Sequence, residues 1–135
     1  MPAYENFSKV YDKFMSDTPY DEWIKYIKKI WDKYSLSPKL IAELGCGTGN
    51  ITQRLSDMGY DVIGIDCSSE MLSKAKEKAQ KNGKEILYLE QDMTDFELYG
   101  TVSCILSLCD SINYITEEKD LLKVFKLVNN YLDPN

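Results

Sequence analysis

Short apolar runs alternate with amphipathic segments from residue 39 to the end of the chain. Four of the runs are predicted as strands: 39–44, 61–66, 86–90 and 102–108. The segments around them predict helices at 50–58 and about 68–82, and a last helix capped by Thr116. That last helix is predicted to have one apolar face: Leu121, Val124, Phe125, Val128 and Leu132. Because helical connections between parallel strands are right-handed, this order predicts an α/β fold with a doubly wound parallel sheet.

The first 38 residues are predicted to be helical rather than part of the sheet. Aromatic residues recur at three- and four-residue spacing from Tyr4 to Phe14, as on one face of a helix. Thr18 is predicted as the N-cap of a second helix, with Pro19 in its first turn. Five residues of this second helix are predicted to share one apolar face: Trp23, Ile27, Ile30, Trp31 and Tyr34.

The composition argues against several classes of function. The chain has a formal net charge of -6 and a pI near 4.7, whereas general nucleic-acid binding needs an excess of lysine and arginine. It contains no histidine, so the usual metal ligand and the usual proton shuttle at neutral pH are missing. Its four cysteines lack CxxC spacing, which favours reduced thiols over a metal site. No metal is therefore expected.

The chain is expected to be a soluble cytoplasmic protein. Its N-terminus is polar and aromatic from the first residues, unlike a signal peptide. No stretch reaches the roughly 18 apolar residues that a helix needs to span a bilayer. Neither a membrane nor a nucleic acid is expected as a partner.

The stretch Glu43-Leu-Gly-Cys-Gly-Thr-Gly-Asn50 carries most of the chemical information in the sequence. Its glycines at 45, 47 and 49 lie between a predicted strand and a predicted helix, where they allow a tight turn and a ligand close to bare backbone. Asp66 ends the second strand and Asp92 follows the third, at the same edge of the sheet. These features predict a nucleotide-like ligand at that edge. Asn50 stands where a dinucleotide-binding GxGxxG loop has its third glycine, so a pyrophosphate is not the obvious ligand.

The sequence resembles the class I S-adenosylmethionine-dependent methyltransferases, whose first motif is an acidic residue, an apolar residue and GxGxG. The similarity continues through Gly64-Ile-Asp-Cys-Ser-Ser-Glu-Met-Leu72, which resembles the family's second motif, and through Gln91-Asp-Met93. The segments Val10-Tyr-Asp12 and Tyr20-Asp-Glu-Trp23 resemble the lid helices of small-molecule members. The resemblance therefore implies a helical lid at 1–38 and a Rossmann-like S-adenosylmethionine-binding domain at 39–135.

The resemblance also implies which residues bind the cofactor. The backbone from Gly45 through Cys46 and Gly47 to Gly49 would face its methionine part, with Glu43 supporting this turn from behind. Asp66 would hold the ribose hydroxyls, and Asp92 would accept from the adenine amino group. The remaining contacts implied are Cys67 and Met71 near adenine and ribose, Met93 at adenine, Cys109 on the methionine side, and Tyr11 and Tyr20 from the lid.

Simpler explanations stay open for several of these residues. Glycines after a strand can serve the turn alone, and Asp66 is also a candidate cap for the helix that follows it. The tyrosines and tryptophans of residues 1–38 are more typical of a hydrophobic core than of cofactor contacts.

Methyl transfer from a sulfonium disperses charge, so much of its acceleration can come from proximity and orientation. Where members of the family use a base, it comes from the segment after the fourth strand, which makes Asp110 the catalytic candidate. Alternatively, Asp110 only shapes the loop before the last helix. The chain has no Asn-Pro-Pro-Tyr tetrad like that of relatives that methylate nucleic-acid amino groups. A small-molecule methyl acceptor is therefore expected, with S-adenosylhomocysteine as the product.

The sheet is expected to be truncated after its fourth strand and the helix that follows. The family's sheet has seven strands in the order 3-2-1-4-5-7-6, and only the first four are predicted in this chain. The cofactor half is expected to be present, without the half that usually helps to form the acceptor pocket. The fourth strand would then be an exposed edge, which favours a homodimer or strand exchange.

Two other functions remain as alternatives. A non-catalytic cofactor-binding or assembly module is consistent with a truncated sheet. A nicotinamide-dependent oxidoreductase domain is consistent with the glycine turn and with Asp66. Binding of S-adenosylmethionine compared with NAD separates these readings.

Overall fold

The computed structural model describes residues 19–108 and 117–133, where strands alternate with helices. The helices in these ranges are α1 Tyr20–Lys33, α2 Asn50–Asp57, α3 Ser69–Lys81 and α4 Glu118–Tyr131. The strands are β1 Leu40–Leu44, β2 Asp61–Asp66, β3 Leu87–Glu90 and β4 Cys104–Leu106. The aromatic stripe predicted from Tyr4 to Phe14 and the predicted cap Thr18 lie outside the described residues.

The four strands are parallel and form one sheet in the order β3-β2-β1-β4. The chain adds β2 and β3 on one side of β1 and then returns to place β4 on the other side. The topological switch point therefore lies between β1 and β4. Leu44 pairs with Ile65, and Asp66 pairs with Glu90, so the first three strands end at one edge. This is the doubly wound parallel sheet that the sequence predicts.

Different helices cover the two faces of the sheet. Since side chains alternate along a strand, Ile41 and Val62 pack with α1 and α2, whereas Leu44 and Ile65 pack with Val124 of α4. We call these the α1 face and the α4 face. On the α1 face, α3 packs through a cluster of Cys46, Leu72, Ala75, Ala79 and Tyr88.

The predicted apolar face of α1 is wrong in part. Ile30 and Tyr34 were expected inside but are exposed, Tyr34 to 63%. Ile30 lies about a quarter of a turn away from the stripe that meets the sheet and α2, and Tyr34 comes after the last helical residue, as the C-cap. Pro19 occupies the N-cap position rather than the first turn, because the helix begins at Tyr20. The buried stripe consists of Tyr20, Ile24, Ile27 and Trp31.

The fourth strand and the last helix also differ from their predictions. β4 is shorter than expected: it spans Cys104–Leu106, and Val102 instead forms an isolated bridge with Leu132 after α4. Phe125 was expected on the buried face of α4 but is 55% exposed. Glu117 occupies the N-cap position of α4, so the predicted cap at Thr116 is displaced by one residue. The residues of α4 that pack toward the sheet are Val124, Leu127, Val128 and Tyr131.

α3 begins as the sequence predicts. Ser68 is its N-cap, and the Ser68 hydroxyl oxygen accepts a hydrogen bond from the Met71 amide at 3.2 Å. Glu77 and Lys81 form the expected ion pair one turn apart, at 3.7 Å. The start of α3 therefore holds the end of β2 in a defined position beside the glycine-rich turn.

Within the described residues, no helix is long and apolar enough to cross a membrane. Across residues 19–108 and 117–133, acidic and thiol side chains do not group in a way that would hold a metal ion. The cysteines at 46, 67 and 104 are free thiols.

Candidate functional site

The turn between β1 and α2 has the left-handed backbone that its glycines predict. We call residues 45–49 the glycine loop. Gly45, Gly47 and Gly49 have φ angles of 69°, 58° and 83°, where a Cβ atom would clash with the backbone. The amides of Gly45 and Cys46 donate to the Ile65 carbonyl of β2 at 2.7 and 3.0 Å. The loop is thus fixed to the end of β2.

Asp66 connects the glycine loop to the turn before α3. Its Oδ2 accepts a hydrogen bond from the Gly47 amide and its Oδ1 accepts one from the Ser68 amide, each at 2.9 Å. The side chain is 7% exposed; burial raises its pKa, and hydrogen bonds from the amides of Ser68, Gly47 and Cys67 oppose the increase. A carboxylate oxygen can accept more than one hydrogen bond, so Asp66 is oriented and can still accept from a ligand. Asp66 is not the N-cap of the following helix, because Ser68 is the N-cap of α3.

Glu43 lies beneath the glycine loop at the end of β1. Its carboxylate accepts a hydrogen bond from Thr52 Oγ1 of α2, which joins the strand before the loop to the helix after it. Burial raises the pKa of Glu43 to about 8; the hydrogen bond from Thr52 opposes this increase and the charge of Asp66 adds to it. Glu43 is therefore mostly protonated at pH 7. Its position is consistent with support of the loop from behind.

Tyr88 of β3 also lies beneath the loop, and the sequence analysis missed it. A Cβ atom on Gly64 would come within 2.5 Å of the Tyr88 ring, and one on Gly49 would overlap the Tyr88 hydroxyl. This hydroxyl is buried near Thr52 and has no hydrogen-bond partner of normal geometry in the described part of the chain. The available signal was Gly64, because a glycine inside a strand often marks a close approach of another group.

The three other loop and helix residues implied by the resemblance differ in exposure. Cys46 is buried inside the loop, and burial raises the pKa of its thiol well above the usual value. Met71, in the first turn of α3, is also buried. Cys67 is exposed; partial burial of its thiol, and then the charges of Asp66 and Asp92, raise its pKa. Of these three side chains, Cys67 is the one that a bound ligand would meet at the surface.

Asp92 and Met93 follow β3 at the same edge of the sheet. The Gln91 amide donates to the Asp66 carbonyl at 3.0 Å, which fixes this segment beside the end of β2. Asp92 is exposed, and its Oδ1 accepts from both the amide and the hydroxyl of Thr94 at 2.8 Å. Met93 is half-buried against the cluster of the α4 face. Asp92 thus stabilises a turn in addition to any contact with a ligand.

Tyr20 is the residue of the predicted lid contacts that the structure describes. Tyr20 is the first residue of α1 and is buried in the core, as expected for an aromatic residue of a hydrophobic core. Its hydroxyl accepts a hydrogen bond from Asn50 Nδ2 at 3.3 Å. Tyr11, Cys109 and Asp110 lie outside the described residues. The separate lid domain at 1–38 therefore stays a prediction.

The described site residues meet at one edge of the sheet, beside the switch point. Asp66 contacts the glycine loop directly, and the segment that contains Asp92 is joined to the same strand end. An oriented carboxylate beside bare backbone can bind a ligand that has neighbouring hydroxyls and a polar end.

Comparison with known proteins agrees with this arrangement. Residues 41–135 match a family model described as a methyltransferase domain. The chain is 41% identical over 133 residues to the putative methyltransferase YqeM of Bacillus subtilis (strain 168), covering 97% of this chain and 51% of that protein. Over 96 residues it is 31% identical to the glycine/sarcosine N-methyltransferase of Halorhodospira halochloris, covering 70% of this chain and 36% of that protein.

A solved structure shows the same fold. An S-adenosylmethionine-dependent methyltransferase from Clostridium acetobutylicum ATCC 824 superposes with a TM-score of 0.84 at 32% identity, covering 97% of this chain and 54% of that one. The chain thus spans about half the length of this protein and of YqeM. Family match, sheet topology and motif positions agree: the chain belongs to the class I S-adenosylmethionine-dependent methyltransferases.

Proposed function

We propose that this chain binds S-adenosylmethionine at the carboxyl edge of its sheet, as the cofactor-binding part of a methyltransferase that acts on a small molecule. The observation that carries the proposal is Asp66, whose carboxylate is held between the amides of Gly47 and Ser68 at the glycine loop. An acidic side chain at the end of the second strand is well placed to accept hydrogen bonds from both hydroxyls of a ribose.

The residues present fit this cofactor. The loop glycines leave bare backbone for its methionine part, where side chains would obstruct a close approach. Asp92 lies one strand further along the same edge, at the position proposed for the adenine amino group. Cys46 is proposed to contribute through the loop backbone, and Glu43 to support the loop from behind. The other contacts are proposed as Cys67, Met71 and Met93, together with Tyr11, Tyr20 and Cys109.

The chemistry proposed for the site depends mainly on position. S-adenosylmethionine supplies an electrophilic methyl group, which an acceptor atom would attack in line while the methyl–sulfur bond breaks and S-adenosylhomocysteine leaves. The glycine loop and Asp66 would hold the methionine part and the ribose of the cofactor, and such orientation reaches effective molarities on the order of 10⁵ M or more. Asp110 is proposed to take a proton from the acceptor or to orient it.

The acceptor is proposed to be a small molecule. The net charge of -6 disfavours a nucleic-acid substrate, and one relative is named for methylation of glycine and sarcosine. The test is an assay with a panel of small amines, thiols and hydroxyl compounds that detects S-adenosylhomocysteine. Turnover with oligonucleotides and with none of the small molecules would contradict the proposal.

Binding selectivity separates this function from its alternatives. Calorimetry should show binding of S-adenosylmethionine and S-adenosylhomocysteine, and none of NAD at the same concentrations. Binding of NAD alone would favour an oxidoreductase domain. Cofactor binding without transfer to any acceptor would favour a non-catalytic module.

The edge at β4 is proposed to pair with another copy of the chain. β4 pairs with β1 on one side, and no other described strand pairs with it. α1 and α4 pack on opposite faces of β4, and both have exposed apolar side chains, among them Ile30 and Phe125. An open edge flanked by apolar side chains favours a homodimer or strand exchange.

A further inference from the structure

Asn50, the first residue of α2, forms hydrogen bonds with side chains from three other parts of the fold. Its Nδ2 donates to the Tyr20 hydroxyl of α1 at 3.3 Å and to Thr48 Oγ1 of the glycine loop at 3.4 Å. Its Oδ1 accepts a hydrogen bond from Lys78 Nζ of α3 at 3.2 Å. We call Tyr20, Thr48, Asn50 and Lys78 the Asn50 network.

Two cations hold this network in place. Lys78 Nζ also donates to Thr48 Oγ1 at 3.2 Å, so one ammonium group bonds to both Thr48 and Asn50. Arg54 donates from its guanidinium to the Asn50 carbonyl at 2.9 Å and lies over the Tyr20 ring at 4.9 Å. Hydrogen bonds from charged donors are stronger than those between neutral groups. The network therefore fixes both the side chain and the backbone of Asn50.

Thr48 transmits this restraint to the cofactor loop. It is buried between Gly47, whose amide bonds to Asp66, and Gly49, whose amide bonds to the Cys46 carbonyl. Glycines have more accessible backbone states than other residues, so an unrestrained loop would lose more entropy when a ligand binds. Anchoring Thr48 from α2 and α3 reduces that cost by preorganisation.

We propose that Asn50 is a positioning residue for the cofactor, which holds the glycine loop in its binding conformation through Thr48 and Lys78 and connects the loop to α1 through Tyr20. The choice of ligand in the test rests on the proposed function, whereas the ordering of the loop is measured without ligand. Asn50 itself is not assigned any contact with the cofactor.

Two substitutions of Asn50 distinguish hydrogen bonding from packing. Asn50→Leu keeps a similar volume and removes every side-chain hydrogen bond. Asn50→Asp can still accept from Lys78, and the Tyr20 hydroxyl can reverse its role and donate to the new carboxylate. If the network positions the loop, Asn50→Asp should keep the cofactor affinity and the loop ordering that Asn50→Leu loses.

The first measurement is the affinity for S-adenosylhomocysteine, at a temperature where circular dichroism shows each variant folded. Asn50→Leu and Lys78→Met should each weaken binding about tenfold, the size expected for losing a hydrogen bond to a charged group. Asn50→Asp should stay within about threefold of wild type on the same scale. Val124→Ala, on the α4 face, is the matched control: it should lower the melting temperature without changing the affinity.

The second measurement is hydrogen exchange of the Gly47 and Gly49 amides without ligand. Both should exchange faster in Asn50→Leu and in Lys78→Met, and at wild-type rates in Asn50→Asp and Val124→Ala. If wild type does not bind S-adenosylhomocysteine, the proposed function fails and the exchange rates still decide this inference. If Asn50→Leu does not fold, Lys78→Met provides the same comparison. A folded variant that is less stable but unchanged in both loop exchange and affinity would overturn the inference.

Discussion

Two buried carboxyl groups at neighbouring strand ends are stabilised in different ways. Asp66 accepts from two backbone amides, and these oppose the effect of burial on its pKa. Glu43 accepts from the Thr52 hydroxyl, and burial dominates, so its pKa rises to about 8. The site therefore combines a carboxyl group beneath the loop that is mostly protonated at pH 7 with a second one oriented by backbone amides beside the loop.

The raised pKa of Glu43 predicts that the chain loses stability as the pH rises from about 5 to about 8. In that window the folded state keeps a proton that the unfolded state, with a pKa near 4.5, has released. One such proton gives a slope of up to about 1.4 kcal/mol per pH unit. Urea denaturation at a series of pH values from 5 to 8.5 measures it.

Glu43→Gln is the informative variant for this slope. Glutamine keeps an oxygen for the Thr52 hydroxyl and is neutral at every pH, so stability should depend less on pH than in wild type. Glu85→Gln removes an exposed carboxylate and controls for the change in net charge. Equal slopes in wild type and Glu43→Gln would show that Glu43 does not carry the effect.

At the scale of elements, the glycine loop depends on β3 as well as on the strand and helix it joins. The Tyr88 side chain reaches across Gly64 of β2 to the underside of Gly49, so three consecutive strands determine which residues fit there. Gly49 needs to be glycine both for its positive φ and for the space that Tyr88 occupies.

Gly49→Ala is predicted to destabilise the chain more than Gly59→Ala does. Both positions have positive φ, 83° and 96°, which costs an alanine roughly 1–2 kcal/mol. An added Cβ atom meets nothing within 4 Å at Gly59 but overlaps the Tyr88 hydroxyl at Gly49, which adds about 1–3 kcal/mol of overpacking. Thermal denaturation compares the two variants.

The overlap itself is tested by adding Tyr88→Phe. Phenylalanine lacks the hydroxyl, so the double variant Gly49→Ala/Tyr88→Phe should recover part of the stability lost in Gly49→Ala. Equal destabilisation by Gly49→Ala and Gly59→Ala, with no recovery, would contradict the assigned contact.

The order of the elements could be predicted from the sequence because each strand has a short apolar run and each helix a cap or a periodic face. The buried face of a helix was harder to predict when apolar residues occur on several sides of the helix. In α1, Ile30 and Ile24 are both candidates for the buried face, and only contacts with α2 and β1 decide between them. Tyr34 is exposed because the helix already ends at Lys33. Phe125 of α4 was misplaced for the same reason.

The parts of the site that belong to a spaced motif could be predicted from the sequence. The contacts between side chains that are distant in the sequence could not. The glycine loop and Asp66 follow from residues at adjacent strand ends. The bond between Thr52 and Glu43, the position of Tyr88 and the reach of Lys78 to Asn50 join distant parts of the sequence. No local pattern encodes such pairings.

For the whole molecule, the feature with the largest consequence is the side of β4 on which no other described strand pairs. The sheet is covered on both faces, whereas β4 pairs with one described strand and lies between helices that have exposed apolar residues. We therefore expect the chain to associate with itself in a concentration-dependent way.

Sedimentation velocity over a range of concentrations measures this association. Phe125→Ser, which removes an exposed aromatic residue from the helix beside β4, should weaken it, because apolar burial drives such contacts. Leu87→Ser removes an exposed apolar residue from β3, at the other edge of the sheet, and should leave self-association unchanged. A monomer at every concentration, or an effect of Leu87→Ser alone, would contradict pairing at β4.

Calorimetric titration of S-adenosylhomocysteine into wild type, Asp66→Ala and Asp61→Ala decides whether Asp66 holds the cofactor at this edge of the sheet. Asp61 is the first residue of β2 and Asp66 is the last, so the two side chains lie at opposite edges of the sheet. Each variant removes one carboxyl group from the same strand. We predict that wild type binds, that Asp66→Ala weakens binding at least about tenfold because hydrogen bonds to a charged acceptor are lost, and that Asp61→Ala leaves the affinity unchanged. No binding by wild type at millimolar ligand, or equal binding by all three proteins, would contradict this prediction.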